Sequence, residues 1–317
     1  MRTVLVTGAN GFVGCNLVKH FAEAGNAVVA LDRSSPDNPM CRYVASVSDR
    51  IAFVRADLSD PHWHRALPTQ SADIVIHAAA VTNVSEGEEI ARASDAAAVN
   101  VGGTMNVLTW ALTARPARII HLSSSAVYGA ILDAGDPIDE RHPCEPSSIY
   151  GTTKLAAEKI ALRFAELAGL ELVIARLAGP YGPMERQTAE RKRLSPIHAW
   201  CEAAVTGTAL SIHRGTLPRD WIYIKDTAAA IECLAREPDL SHRIYNVSSG
   251  SAVTCDDIIG ALRELFPALG SRAVNGEAVN LIARPISSQR LRSATGWEPR
   301  HDLRSGLGDY ISWMKSN

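Results

Sequence analysis

The sequence predicts an α/β fold, a doubly wound parallel sheet with helices on both faces and a smaller mixed α/β lobe that binds substrate. Three observations predict it. Short β-branched runs alternate with longer helical patterns through the first half of the chain. Those runs are continuously apolar, as strands covered on both faces are, rather than alternating. The first run ends in a glycine-rich turn that opens a helical stretch, Gly8-Ala9-Asn10-Gly11-Phe12-Val13-Gly14.

Taken in order, Thr3–Thr7 reads as a buried strand and Phe12–Ala24 as a helix closing on Gly25. Ala27–Leu31 is a second strand ending at Asp32, and Ser34–Arg50, rich in Pro, Ser and Asp, reads as a surface excursion. Ile51–Arg55 and Asp73–His77 are further strands, Arg92–Ala114 a long helical stretch and Arg118–Leu122 a fifth strand. Tyr150–Ala168 is a helix ending at Gly169, and Glu171–Arg176 a sixth strand. Beyond Gly179 the alternation loosens. Helices are expected at Ile197–Val205, Thr227–Arg236, Thr254–Phe266 and Leu303–Met314, and short strands at Leu210–Ile212 and Arg243–Val247. Trp221–Ile224 reads as a strand returning to the sheet. The expected division is therefore a dinucleotide-binding unit over residues 1–178, with return segments near 219–250, and an interleaved smaller lobe over 179–317.

Composition narrows the function class. The 317 residues are 46% hydrophobic and 21% charged, the balance of a soluble globular chain. A formal net charge of −2 supplies no basic excess for a nucleic-acid backbone. Six scattered cysteines without a C-x-x-C pair suit reduced thiols in a cytoplasm better than a disulfide frame or a zinc site, and the histidines are isolated, so no metal is expected. No apolar run of about 18 residues is present to span a membrane, and the apolar run at the N-terminus is too short for a signal peptide.

The chemistry-bearing residues fall into two groups. In the glycine turn, Gly8, Gly11 and Gly14 let the backbone approach a pyrophosphate, while Phe12 and Val13 open a helix whose free N–H groups favour an anion. Asp32, at the tip of the second strand, stands where a ribose-binding acid belongs. Its carboxylate repels a 2′-phosphate, which favours NAD over NADP, although Arg33 beside it offers a phosphate partner. Asp57 and Leu58 after the third strand, and Ala78, Ala79 and Ala80 after the fourth, read as further walls of this site or as tight packing. The second group is Tyr150 and Lys154, one helical turn apart, with Ser124 upstream. An ammonium beside a phenol favours the phenolate, so the Tyr150 pKa is expected to fall from ~10 towards working pH. Such a phenol can take a proton from an alcohol. By itself Tyr-x-x-x-Lys is also an ordinary amphipathic helix start; the dinucleotide site gives it a task.

These segments together resemble the extended short-chain dehydrogenase/reductases, in the NAD-dependent epimerase/dehydratase family of sugar-modifying enzymes with a Rossmann-like fold. The resemblance rests on T-G-A-N-G-F-V-G at Thr7–Gly14, A-D-L at Ala56–Leu58, H-A-A-A at His77–Ala80 and V-N-V-G-G-T at Val99–Thr104. It continues in S-S-S-A-V-Y-G at Ser123–Gly129, Y-G-T-T-K at Tyr150–Lys154, R-D-W-I-Y-I-K-D at Arg219–Asp226, Y-N-V-S-S-G at Tyr245–Gly250 and G-W-E-P at Gly296–Pro299. It implies that Tyr150 is the base, that Lys154 lowers its pKa and holds the nicotinamide ribose, and that Ser124 binds the reacting oxygen. It places Phe12 and Val13 on the pyrophosphate and Asn100 beside the cofactor. Thr82, Tyr181, Arg219 and Arg284 are expected on the substrate, the two arginines as a diphosphate clamp.

Two departures narrow the reaction. Family members that eliminate water carry Asp-Glu directly after the Ser/Thr position, where this chain has Ser125-Ala126, which argues against a 4,6-dehydratase. Nucleotide-sugar members often read R-x-x-N-x-Y-G-P, whereas Arg176–Pro183 places Gly179 at the Asn. The favoured reading is an NAD-dependent sugar epimerase, with a sugar or sugar-acid dehydrogenase as the alternative and a non-catalytic dinucleotide sensor as a distant third. The segment Arg191-Lys192-Arg193, with Arg186, reads as a solvated loop balanced by Glu185 and Glu190 rather than an anion site. Apolar residues around much of Arg92–Ala114 (Ala96, Val99, Val107) and Tyr150–Ala168 (Leu155, Ile160, Leu162, Leu167) predict a homodimer through a four-helix contact.

Overall fold

A computed structural model describes residues 1–316 apart from 83–85, 134, 189–190, 192–193, 214–217 and 275–281. Its strands are β1 Thr3–Thr7, β2 Ala27–Asp32, β3 Ile51–Arg55, β4 Ile74–His77, β5 Arg118–Ser124, β6 Leu172–Leu177, β7 Gly179–Tyr181, β8 Leu210–His213, β9 Arg219–Tyr223, β10 Ile244–Val247, β11 Ala252–Val253 and β12 Ser271–Val274. Seven of them form the main sheet in the order β10-β6-β5-β4-β1-β2-β3, every pair parallel. β1 pairs with both β2 and β4, so the strand order reverses beside it. The crevice beyond the carboxyl ends of β1 and β4 is where such sheets bind ligands.

Continuous apolar strands need cover on both faces, and both have it. On one face the helix Phe12–Glu23 packs Cys15, Leu17, Val18 and Phe21 with Ala228, Ile231 and Leu234 of the helix Ile224–Arg236. On the other, Val107, Leu108 and Ala111 of Thr104–Ala114 meet Ala161 and Ala165 of Ile149–Ala168. The smaller lobe holds two minor sheets, β11-β9-β7 and β12-β8, and the helices Pro196–Thr206, Cys255–Leu265 and Leu303–Ser316. Its core gathers Ile197, Trp200, Leu262 and Tyr310, with Phe12 contributed from the glycine turn.

Three elements differ from the sequence expectation. The 92–114 stretch is helical from Ala93 but contains a wide turn, a π-helix over Ala97–Gly103. Gly102-Gly103 are weak α-helix formers, and such insertions place a side chain where a regular helix would not. Here that side chain is Asn100. The 34–50 segment is not merely an excursion: Asn38–Tyr43 and Ala45–Arg50 are short helices that seat Met40, Val44 and Val47 in the core. The strand near Trp221 pairs with β7 and β11 in a minor sheet, and β10 is the strand that returns to the main one.

One buried ion pair joins the elements that carry the site. Arg176 on β6 donates Nε to Glu158 Oε1 at 3.0 Å and Nη2 to Glu158 Oε2 at 2.7 Å, and both side chains are buried. Arg176 Nη1 also donates to the Tyr128 hydroxyl at 3.1 Å, which donates to Asn246 Oδ1 on β10 at 2.7 Å. Removing one member of such a pair strands a buried charge, at a cost of about 3–5 kcal/mol, whereas replacing both by apolar groups is often neutral. Arg176→Met should therefore lower unfolding stability by about 3–5 kcal/mol, and the double variant Glu158→Met, Arg176→Met should recover most of it. Urea denaturation checks both; a single variant as stable as the parent would show that the pair does not hold these elements together.

Candidate active site

The glycine turn is built for close approach. Gly8 has φ +68°, and a Cβ there would lie 2.6 Å from Ala79 Cα, so Gly8 and the small-residue run after β4 require each other. A Cβ on Gly14 would stand 2.0 Å from Gly8 O. Gly11 caps the Phe12–Glu23 helix without a side-chain hydrogen bond, leaving first-turn N–H groups to an anion. The turn opens on a cleft of about 390 Å³ that reaches Asp32, Arg33, Asp57, Leu58, Ala78–Thr82 and Val99. Asp32 Oδ1 accepts from the Ser34 N–H and hydroxyl, and Oδ2 from Asn10 N–H, which fixes the carboxylate at the cleft while leaving lone pairs for ribose hydroxyls. Asn10, also on the cleft, has a buried Oδ1 without a partner among the described residues. A glycine cradle, an unsatisfied acceptor and an anchored carboxylate fit the pyrophosphate and adenosine ribose of NAD.

Asn100 does not face this cleft. Its Oδ1 accepts from Val81 N–H at 2.8 Å, and its Nδ2 donates to Val81 O at 3.1 Å and Thr153 Oγ1 at 2.9 Å. With its amide spent in the protein, Asn100 latches the segment after β4 to the helix Ile149–Ala168; Val99 is the neighbour that lines the cleft. Beneath it, Thr7 donates to His77 Nδ1, and His77 Nε2 donates to Thr104 Oγ1, whose proton goes to Asn100 O. Burial, with Lys154 nearby, depresses the His77 pKa to about 3, so the imidazole is neutral in this chain of bonds.

Ser124 ends β5 and accepts from Ala126 N–H at 3.2 Å. Tyr150 and Lys154 stand on the first turns of Ile149–Ala168, capped by Ser148, which accepts from Gly151 N–H at 3.1 Å. A Cβ on Gly151 would lie 2.6 Å from Ala126 O, so the glycine after the tyrosine seats the helix start on the Ser125–Tyr128 turn. That contact brings Ser124 and Tyr150 together. The expected fall of the Tyr150 pKa does not hold: burial raises it, and the Ser124 hydroxyl and the charge of Arg191 pull it only partly back. Lys154 is buried, and among the described residues its ammonium makes no hydrogen bond or ion pair. Burial lowers its pKa to about 8, with Glu158 one turn further on opposing the fall. The trio is thus assembled around one desolvated ammonium.

The substrate side departs further from expectation. Thr82 lines the cleft, but Tyr181 is buried in the core of the smaller lobe, where a Cβ on Gly306 would stand 2.2 Å from its hydroxyl. Arg219 is half-buried, its guanidinium carbon 4.5 Å from the Trp221 ring. Arg284 instead donates Nε to Asp136 O at 2.7 Å, with Asp133 Oδ2 at 3.9 Å from Nη1, and holds the turn beneath it. The basic segment is not simply solvated: Arg186 and Arg191 line the cleft, while Lys192, Arg193 and Glu190 lie outside the described residues. Arg186 forks onto Asp37 at 3.0–3.1 Å and donates to Asn10 O. Isolated charges in a polar run gave no signal for this inward turn; the clue lay in Glu185, whose burial needs a cation.

The Lys154 shift has a measurable consequence. Its pKa is about 8 when folded and near 10.4 when unfolded. The unfolded chain therefore binds more protons between these values, and the stability contributed by this position rises with pH from about 8 to 10. The stability difference between parent and Lys154→Met, by urea denaturation without cofactor, should shift towards the parent over that range. A difference independent of pH would show that the ammonium is not desolvated.

The NAD dependent epimerase/dehydratase family matches residues 4–248. The UDP-glucose 4-epimerase of Halalkalibacterium halodurans is 29% identical, with 99% of this chain and 96% of the relative covered. The dTDP-glucose 4,6-dehydratase of an Actinoplanes species is 26% identical over 99% and 98%. Among solved structures, MoeE5 in complex with UDP-glucuronic acid and NAD superposes with a TM-score of 0.82 at 28% identity, over 99% of both chains. No helix among the described residues is long and apolar enough to cross a membrane. The match over residues 4–248 shows that the chain belongs to the NAD-dependent epimerase/dehydratase family, enzymes of the extended short-chain dehydrogenase/reductase type.

Proposed function

We propose that the protein is an NAD-dependent epimerase acting on a nucleotide sugar. The observation that carries this reading is the seating of Ser124, Tyr150 and Lys154 on one turn-and-helix contact beside an NAD cleft. Bound NAD supplies a hydride acceptor at the sugar carbon. Tyr150 takes the hydroxyl proton, Ser124 holds the same oxygen, and Lys154 supplies positive charge that favours the phenolate and a donor for the nicotinamide ribose. Reversing these transfers on the other face of a turned ketone completes an epimerisation with no net change of cofactor. Elimination of water lacks its acid–base pair, since Ser125 and Ala126 occupy those positions.

Support for an activated sugar comes from Arg219 and from the UDP-sugar relatives. Gly179, which in sequence argued for a free sugar acid, is explained by space: a Cβ there would lie 2.9 Å from Arg219 Nε and 2.8 Å from the Trp221 ring. The amide of the common pattern and this seating of Arg219 exclude each other. A dehydrogenase remains the competing reading, and product analysis separates the two: isomer formation without net NADH supports the epimerase, and stoichiometric NADH overturns it. Tyr150→Phe keeps the ring and removes the proton acceptor, so turnover should fall by roughly 10²-fold or more while NAD binding persists; near-normal turnover would remove Tyr150 from the mechanism.

We further place the enzyme in the cytoplasm, in keeping with six free cysteines, and infer a homodimer. Ala96 and Val107 are taken up by the core of this chain, but Leu112 (43% exposed) and Leu167 (71%) remain outside on the paired helices, with Ala97 and Ala98 also exposed. Light scattering at micromolar concentration should give a particle of twice 34.0 kDa. A monomer that persists under these conditions would refute the four-helix contact.

A further inference from the structure

We infer that His77 is a positioning residue: a one-way chain of buried hydrogen bonds running through its imidazole sets the spacing between the cofactor cleft and Tyr150. This rests on the reading of Tyr150 as the base and applies to an epimerase and a dehydrogenase alike.

The chain can be followed bond by bond. Ala79, on the wall of the cleft, donates its N–H to Thr7 Oγ1 at 3.3 Å. Thr7 donates to His77 Nδ1 at 2.8 Å, and His77 Nε2 donates to Thr104 Oγ1 at 3.0 Å. Thr104 donates in turn to Asn100 O at 2.7 Å. From the same residue Asn100 Nδ2 donates to Thr153 Oγ1 at 2.9 Å, and Thr153 donates to Tyr150 O, also at 2.9 Å. Thr7, His77, Asn100, Thr104 and Thr153 are all buried, so solvent does not stand ready to replace a missing link.

The imidazole fixes the direction. Thr104 has one hydroxyl proton and gives it to Asn100 O, so its oxygen accepts from His77. The ring hydrogen is therefore on Nε2, which leaves Nδ1 to accept from Thr7. A second proton on the ring would turn Nδ1 into a donor and break that link, and burial, with Lys154 nearby, keeps the ring neutral. The two ends are the parts the reaction must bring together. At one end a Cβ on Gly8 would meet Ala79 Cα at 2.6 Å, so Thr7 and Ala79 frame the glycine turn that fits the pyrophosphate. At the other, the last acceptor is the carbonyl of Tyr150 itself, in the first turn of Ile149–Ala168. Between them Asn100 also holds Val81 by its N–H and its carbonyl, which ties the cleft wall to the same helix. Apolar residues of similar volume often fill such a space with equal stability, but they do not specify the spacing of its ends. Cofactor and phenol act on one carbinol group, and an error of about 1 Å in such a register costs roughly 10²-fold in rate.

The test uses Thr104→Val, which keeps the shape and removes the hydroxyl between His77 and Asn100, and Thr104→Ser, which keeps the hydroxyl. His77→Phe, a ring without the nitrogens, should behave as Thr104→Val does. Calorimetry should show all three binding NAD with the parent's affinity, which also shows that they are folded. Tyr150 is then titrated by phenolate absorbance, as the difference from Tyr150→Phe, without NAD and at saturating NAD. The positive nicotinamide ring should lower the midpoint in the parent and in Thr104→Ser. Thr104→Val and His77→Phe should lose most of that lowering. With UDP-glucose as the probe, kcat of Thr104→Val should fall by about 10- to 100-fold while KM changes little. Equal lowering in Thr104→Val overturns the inference alone. Equal impairment of Thr104→Ser overturns it too, since packing rather than the hydroxyl would then be the cause, and so does loss of NAD affinity in Thr104→Val. A parent whose Tyr150 does not respond to NAD removes both the inference and the reading of Tyr150 as the base. If the parent leaves UDP-glucose unchanged, that counts against the nucleotide-sugar reading, and the titration still decides the role of His77.

Discussion

The site depends on the buried pair between Glu158 and Arg176. Glu158 lies one turn beyond Lys154 on the helix Ile149–Ala168, and Arg176 stands on β6, so their forked contact fixes the helix in rotation as well as position. The same guanidinium reaches Tyr128, the last residue of the turn that begins after Ser124. One cation therefore sets both the element bearing Ser124 and the element bearing Tyr150. The network extends to Asn246, which bonds Ile138 O and Ser287 O, and to Glu140, which accepts from Asn246 N–H at 2.8 Å. A hydrophobic contact would hold these elements together without specifying their register; a bidentate ion pair does both.

The contrast with the other buried cations separates structure from site. Arg176 is satisfied on every side, and its interactions with Glu158 raise its pKa despite burial. Lys154, buried, and Arg219, half-buried, have no such partner among the described residues, and both are depressed. Desolvating a charge without pairing it costs free energy that folding alone does not repay. Such groups persist where a ligand completes them. The raised pKa of Tyr150 belongs to the same logic. Burial holds the phenol in its neutral form, and the Ser124 hydroxyl and the charge of Arg191 favour ionisation only against that penalty.

Much of this was legible in the sequence because the relevant signals are local. The strands β1, β2 and β3, the helix opening at Phe12 and the helix ending at Gly169 are set by apolar runs, glycines and caps within a few residues of each position. Gly8, Gly14 and Asp32 were readable for the same reason. What was not legible depended on contacts across the chain. Asn100 looked like a cofactor neighbour, but the π turn at Gly102-Gly103 carries its amide to Val81 and Thr153. Tyr181 looked like a substrate contact, but its ring is taken by Tyr223 and the chain at Gly306. The Ser34–Arg50 segment looked irregular because its helices are short and depend on Met40 and Val44 finding a core. Composition there reports turns and caps, not the burial that stabilises them.

Gly179 shows how a single departure from a pattern can be misread one residue at a time. Alone, the missing amide argues for a smaller or differently charged substrate. In the fold, the position faces Arg219 and Trp221 on the neighbouring strand, since β7 pairs with β9 and Gly179 lies opposite Trp221. Any side chain there would meet the indole or the guanidinium within 3 Å. The glycine therefore goes with a guanidinium held over an aromatic ring, which restricts the rotamers of a long side chain before a ligand arrives and reduces the entropy lost on binding. Losing an amide donor and gaining a pre-oriented cation changes how an anion is held. It does not remove the reason to hold one.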